Sequence, residues 1–250
     1  MIEVSGFRKV YRETVAVEGL DFDVQPGQIM GLVGPNGAGK TTTLRTIAGI
    51  IPPTDGTVSV AGHDIVKDAI AAKSSLAYVP DDPKLFDQLT VWEHLEFVSA
   101  AYRVADWQEL GETLLKRFEL TEKRSTLAQE LSRGMRQKVA ICCAYLHSPK
   151  AILFDEPHTG LDPRGIRTMR DSIMERARAG AAVIVSSHLL VLVEDMCTDL
   201  LILHKGQRLF FGPIKEARAA FDASDSDLSL EEIFFHATEG QAASAAKTAE

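Results

Sequence analysis

The sequence predicts an α/β fold with a largely parallel sheet and a mainly helical insertion. Three observations carry this. A short apolar run, Ile29 to Val33, leads through a glycine-rich loop into a helical stretch from Thr41 to Ala48. From Ala151 onward, strand-like and helix-like segments alternate. Between these parts, residues 86 to 146 carry apolar side chains at three- and four-residue steps. Alternation of strand and helix implies parallel strands with helices on both faces of the sheet.

The elements follow in order. Ile2, Val4, Phe7 and Val10 alternate in strand fashion, and Val15 to Val24 offers a second strand before the Pro26-Gly27 turn. Pro52-Pro53-Thr54-Asp55-Gly56 ends the first helix, and Thr57 to Ala61 reads as another strand. In the insertion, Val91 to Tyr102 and Trp107 to Phe118 look helical, and Ser132 opens a helix to about Leu146. Ala151 to Phe154 is a buried strand, Pro163 to Ala179 a helix, and Ala182 to Ser186 a strand. Leu189 to Met196 is a helix and Leu200 to Leu203 a strand. The expected domain spans residues 1–236, with a flexible tail over 237–250 where Ala, Gln, Lys and Glu predominate.

A length of 250 residues fits one large domain, or one core with an inserted subdomain. Lys and Arg number 27 against 35 Asp and Glu, for a net charge of −8. That balance argues against broad nucleic-acid binding, which needs a basic surface. Cys142, Cys143 and Cys197 lack metal-ligand spacing and read as small apolar side chains in a reducing compartment. No apolar run approaches the ~20 residues that cross a bilayer, so a soluble chain is expected, with any membrane role exercised through a partner.

Gly34-Pro35-Asn36-Gly37-Ala38-Gly39-Lys40-Thr41 fits the phosphate-loop pattern G-x-x-x-x-G-K-[ST]. Gly34, Gly37 and Gly39 let backbone N–H groups turn toward phosphate oxygens, and the following helix aims its positive end at the same anion. Lys40 can reach the β- and γ-phosphates, and the Thr41 hydroxyl can bind Mg2+. Asn36 and Thr42 complete the expected nucleotide-binding stretch. Downstream, Ile152-Leu153-Phe154-Asp155-Glu156 is an apolar strand ending in two carboxylates. Ligands in open α/β sheets sit at such strand ends. Asp155 suits Mg2+, and Glu156 suits orientation or deprotonation of an attacking water.

Around these motifs lie others. Leu131-Ser132-Arg133-Gly134-Met135-Arg136-Gln137 resembles the signature motif of ABC-type ATPases. Thr159-Gly160-Leu161-Asp162-Pro163 resembles their D-loop, His188 stands where they carry a switch histidine, and Tyr11 where an aromatic residue stacks on adenine. Together, over residues 1–236, the chain resembles the nucleotide-binding subunit of an ABC transporter. The resemblance implies a P-loop NTPase (RecA-like) core with an N-terminal antiparallel β subdomain and an α-helical subdomain inserted at about 86–146. It also implies ATP and Mg2+ as cofactors and a head-to-tail dimer, of like or related subunits. Ser132, Gly134 and Asp162 of one copy would then meet nucleotide on the other, while His188 and Glu156 hold the water. Taken alone, Ser132 also reads as a helix cap, and Tyr11 also as a packed strand aromatic. The six other histidines show no comparable placement.

The chain departs from the family pattern twice. Arg133 replaces a glycine and Met135 a glutamine in the signature. Ser75 to Val79 reads as a strand, and Asp81, in the Pro80-Asp81-Asp82-Pro83 that follows it, stands where the Q-loop places glutamine. Its carboxylate is either a ligand for Mg2+ or part of an Asp-Asp-Pro turn. With these departures the resemblance leans toward exporters of the ABC-2 type. It implies separate transmembrane permease subunits, attachment to the cytoplasmic side of the membrane, and no nucleic-acid partner. Leu85, Phe86 and Leu89 are expected either to dock the permease or to pack in the core. Competing readings are a soluble ABC ATPase acting on nucleic acid or ribosomes, and a non-hydrolysing ATP-binding regulator.

Overall fold

A computed structural model describes residues 1–220. The expected end of the domain at 236 and the tail over 237–250 lie outside the described residues. Two sheets form the frame. The larger has the strand order β10-β9-β3-β8-β7-β6. Its strands are β3 (Ile29–Val33), β6 (Leu76–Val79), β7 (Ala151–Asp155), β8 (Ala182–Ser186), β9 (Asp199–His204) and β10 (Gln207–Pro213). All run parallel except β10, which returns antiparallel along β9. The smaller sheet is antiparallel, in the order β2-β1-β4-β5. Its strands are β1 (Ile2–Tyr11), β2 (Thr14–Val24), β4 (Asp55–Val60) and β5 (His63–Asp64).

Every residue of β3, β7 and β8 is buried. Unbroken apolar runs of that kind suit central parallel strands covered on both faces. Side chains then sort by parity. Ile29, Val33, Ile152, Phe154, Val183 and Val185 enter one core with the helices α3 (Val91–Tyr102), α4 (Trp107–Arg117), α5 (Arg133–Leu146), α6 (Pro163–Arg178) and α7 (Leu190–Met196). Met30, Leu32, Leu153 and Ile184 enter the other, with α1 (Lys40–Ile47), α2 (Ala69–Ser74) and the inner face of the small sheet. The second face is thus covered by helix and antiparallel strand together, not by helices alone. Ile2, Phe7, Val17 and Leu20 of that sheet are buried against it.

The inserted helices share the first core rather than forming a separate one. A capping box at Thr90 and Glu93 starts α3. Trp92 and Trp107 pack with ring centroids 4.7 Å apart, and the Arg124 guanidinium lies 3.9 Å from the Trp92 ring. The buried Tyr145 hydroxyl lies 2.9 Å from Ser172 Oγ, which pins α5 to α6.

Most predicted elements appear within two residues of their expected bounds. The pattern reading passed over β5, α2, β10 and the last described helix, α8 (Ile214–Ala220). The turn into β10 had a local signal. Lys205 and Gly206 join β9 and β10 with φ of 47° and 78°, the left-handed pair that closes a two-residue hairpin.

Candidate active site

The strand order brings the carboxyl ends of β3, β8, β7 and β6 side by side. They carry, respectively, the glycine-rich loop, Ser186 to His188, Asp155-Glu156, and Pro80-Asp81. A cleft of about 300 Å³ opens there, lined by residues 36–42 with Ala16, Asp81, Asp155 and Glu156.

Sterics explain the loop glycines. A Cβ at Gly34 would lie 2.4 Å from Leu203 O, and one at Gly39, where φ is 104°, would lie 2.8 Å from Ala16 O. Gly37 has φ 80° in open space. Helix α1 begins at Lys40 with no side chain capping it. The N–H groups of its first turn are therefore left for an anion. Lys40 is buried, and its Nζ donates to Gly34 O at 2.7 Å and Pro35 O at 3.3 Å. Burial pushes its ammonium below the ordinary lysine value, against the pull of Glu156 and Asp155. A polyphosphate offers that charge stronger partners than two carbonyls.

Asp155 is buried at the end of β7 and accepts three hydroxyl hydrogen bonds. Ser186 Oγ and Thr41 Oγ1 donate to its Oδ1 at 2.7 and 3.3 Å, and the Tyr78 hydroxyl donates to Oδ2 at 3.2 Å. Burial first, and the Asp155 charge second, push the Tyr78 phenol up to about 12, so it stays a donor. Thr41 and Asp155 juxtapose two hard oxygen donors beside the phosphate loop. That donor set fits Mg2+.

Glu156 has φ 49°, unusual for a residue with a side chain and of the order of 1–3 kcal/mol in backbone strain. Its N–H donates to Ser186 O and Oγ at 3.1 and 3.2 Å, which holds that conformation. The twist turns the carboxylate toward His188. Glu156 Oε2 lies 2.7 Å from His188 Nδ1 and accepts from the His188 backbone N–H at 3.2 Å.

The other expected residues lie elsewhere. Ser132 caps α5, accepting from Met135 N at 3.3 Å. Gly134 is held by packing, because a Cβ there would sit 2.2 Å from Gly160 O. Asp162 caps α6 through Gly165 N at 3.0 Å. None of these three lines the phosphate cleft of its own chain. Tyr11 is 44% exposed at the end of β1, with Lys9 Nζ 5.1 Å from its ring. Asp81 does line the cleft, but its Oδ1 accepts from Arg133 Nη2 at 2.8 Å. Leu85 and Phe86 line an apolar groove of about 270 Å³ with Phe97, Val98 and Tyr102, and Leu89 lies outside it.

Sequence reading missed three members of this cluster. Ser186 and Tyr78 close the Asp155 network, and their one signal was position near the ends of strands beside β7. His158, one of the six histidines the sequence reading set aside, also lies beside the acid pair. Its Nε2 lies 3.7 Å from Glu156 Oε2, and its ring centroid lies 4.8 Å from that of His188.

Comparison with known proteins agrees with this geometry. The ABC transporter family model matches residues 17–159. The ABC-type transporter ATP-binding protein EcsA of Bacillus subtilis is 35% identical over 236 residues, covering 92% of this chain and 96% of its own. The Nod factor export ATP-binding protein I of Cupriavidus metallidurans is 32% identical, over 85% of this chain and 71% of its own. A solved ATP-binding subunit of an ABC transporter superposes with a TM-score of 0.91 at 32% identity, covering 95% of this chain and 99% of that one. The chain therefore belongs to the ATP-binding subunits of ABC transporters, the ATPases that drive them.

Proposed function

We propose that this chain hydrolyses MgATP at sites shared between two copies, or between it and a related subunit. The work drives export through separate membrane-spanning subunits, from the cytoplasmic face of the membrane. The observation that carries the reading is the Glu156–His188 contact of 2.7 Å beside Asp155 and Thr41. It couples a base to a residue on a neighbouring strand end, across from the phosphate loop.

Bound Mg2+ would neutralise charge on the β- and γ-phosphates. The chain's own groups do the rest. The loop amides and Lys40 bind and align the phosphates. Glu156 accepts a proton from the attacking water, and His188 fixes which way that carboxylate points. Tyr11 stacks on adenine. Ser132, Gly134 and Asp162 reach nucleotide on the facing subunit, which accords with their distance from the cleft of their own chain. A role for Asp81 at the metal would require it to leave Arg133.

Export is favoured by a relative named for Nod factor export. The groove holding Phe86 and Phe97 is suited to an apolar segment from a membrane partner. Among the described residues no helix is long and apolar enough to cross a membrane.

The test is purification of tagged Glu156→Gln protein from detergent-solubilised native membranes in MgATP. Recovery of one stoichiometric integral membrane protein is expected. Recovery of soluble partners alone, or of the chain alone from the cytosol, would overturn the transporter coupling.

A further inference from the structure

Next to the expected Mg2+ donors lies a group of a different chemical kind. Glu156, His158 and His188 each present one ligand atom, and these atoms lie within 4.8 Å of one another. Two of the separations, 2.7 Å from Glu156 Oε2 to His188 Nδ1 and 3.7 Å from the same oxygen to His158 Nε2, straddle the ~3.3 Å edge expected of a tetrahedral site with bonds near 2.0–2.1 Å.

His158 supplies an independent pointer. Its side chain is 7% exposed, and neither ring nitrogen has a hydrogen-bond partner. Buried imidazoles are ordinarily bonded, and an unpartnered pair of nitrogens calls for an explanation. Packing alone would be served by an apolar residue. Here one nitrogen instead points at a carboxylate from beyond hydrogen-bond range. The left-handed backbone of Glu156 opens the turn that carries Pro157 and His158.

We propose that Glu156, His158 and His188 form a binding site for Zn2+, distinct in ligand type from the Mg2+ position at Thr41 and Asp155. Two imidazole nitrogens and one carboxylate suit a borderline d-block ion and disfavour Mg2+, which takes oxygen ligands. Three protein ligands leave a fourth position for water. His188, 64% exposed just before α7, is free to turn onto an ion, while the His158 and Glu156 side chains are 7% and 18% exposed. Zn2+ held there would take Glu156 out of use as a base, so the ion would inhibit hydrolysis. That consequence, but not the binding, rests on the role proposed for Glu156.

The test titrates Co2+, as a visible probe for Zn2+, into the purified full chain without nucleotide, then displaces it with Zn2+. Wild type should take up one equivalent with the strong visible bands of a tetrahedral ion. His158→Gln should weaken binding by roughly 10–100-fold or more while retaining its thermal transition, and Glu156→Gln should do the same. His63→Ala, altering the surface pair with Asp68, should leave binding unchanged. No uptake by folded wild type, or uptake undiminished in both His158→Gln and Glu156→Gln, would overturn the site. Tight Zn2+ binding without loss of ATPase activity would leave the site standing and remove the inhibitory role, pointing to a base other than Glu156.

Discussion

Arg133 and Asp81, two of the three residues at which the sequence is expected to depart from the family pattern, form an ion pair with each other. Arg133 Nη2 donates to Asp81 Oδ1 at 2.8 Å and to Asp81 O at 3.4 Å, joining the start of α5 to the loop after β6. Arg133 therefore offsets the charge of the carboxylate that lines the phosphate cleft. Both side chains are nearly half exposed, so the pair contributes only about 0.2–1 kcal/mol to stability. Its effect should appear in turnover instead. Arg133→Ala alone leaves an unpaired carboxylate lining the phosphate cleft and should raise KM for ATP by roughly 1.4–5-fold, if the ~0.2–1 kcal/mol of the pair is felt by the nucleotide. Arg133→Ala with Asp81→Gln should recover most of the loss. Additive effects in steady-state kinetics would mean that the two residues act independently.

Glu156→Gln should lower kcat by about 10²–10⁴-fold while ATP still binds. Lys40→Ala should instead weaken binding of the nucleotide itself. A filter assay for bound ATP beside a phosphate-release assay separates the two. Equal loss of binding in both variants would contradict the division of labour.

Tyr78→Phe removes one of three hydroxyl donors to Asp155. The expected cost is about 1 kcal/mol in stability, with a roughly 10–100-fold rise in the Mg2+ concentration giving half-maximal hydrolysis. Titration of Mg2+ at fixed ATP is the readout. An unchanged midpoint would show that the phenol is only a packing group.

Gly134→Ala places a methyl 2.2 Å from Gly160 O, a backbone atom with no side-chain freedom. The variant should lose about 1–3 kcal/mol and roughly 2–10 °C in Tm. A wild-type melting curve would show that the loop at Gly160 yields easily.

Burial lowers the His147 pKa from its ordinary value, against a hydrogen bond to Leu76 O. The unfolded chain thus takes up the proton first. Between the lowered folded value and about 6.5 the unfolded state binds more protons, so stability falls as pH drops through that window. The slope from one group is at most about 1.4 kcal/mol per pH unit. His147→Gln should flatten the acid side of a denaturation series over pH 7 to 5, and an unchanged slope would assign the effect to another group.

The phosphate loop, the acid pair and the parallel core were legible because each rests on local rules. Glycines before a helix, apolar runs ending in carboxylates and a serine cap declare themselves within a few residues. Ser186, Tyr78 and His158 were not, since their roles arise from strand order. β8 lies between β3 and β7, and β6 lies on the far side of β7, which no spacing in the chain reveals. The Arg133–Asp81 pair spans 52 residues and forms because α5 starts beside the loop after β6. Gly134 was read for its ligand, whereas its contact with Gly160 already requires a glycine.

The simpler of the two proposed pairings, two copies of this chain around each ATP, is checked by the mass in solution of Glu156→Gln protein, by light scattering with and without MgATP. The mass should double on adding MgATP, and should not double when Ser132→Arg is combined with Glu156→Gln. A chain that binds ATP and keeps the mass of one copy, or a doubling that survives Ser132→Arg, would contradict it.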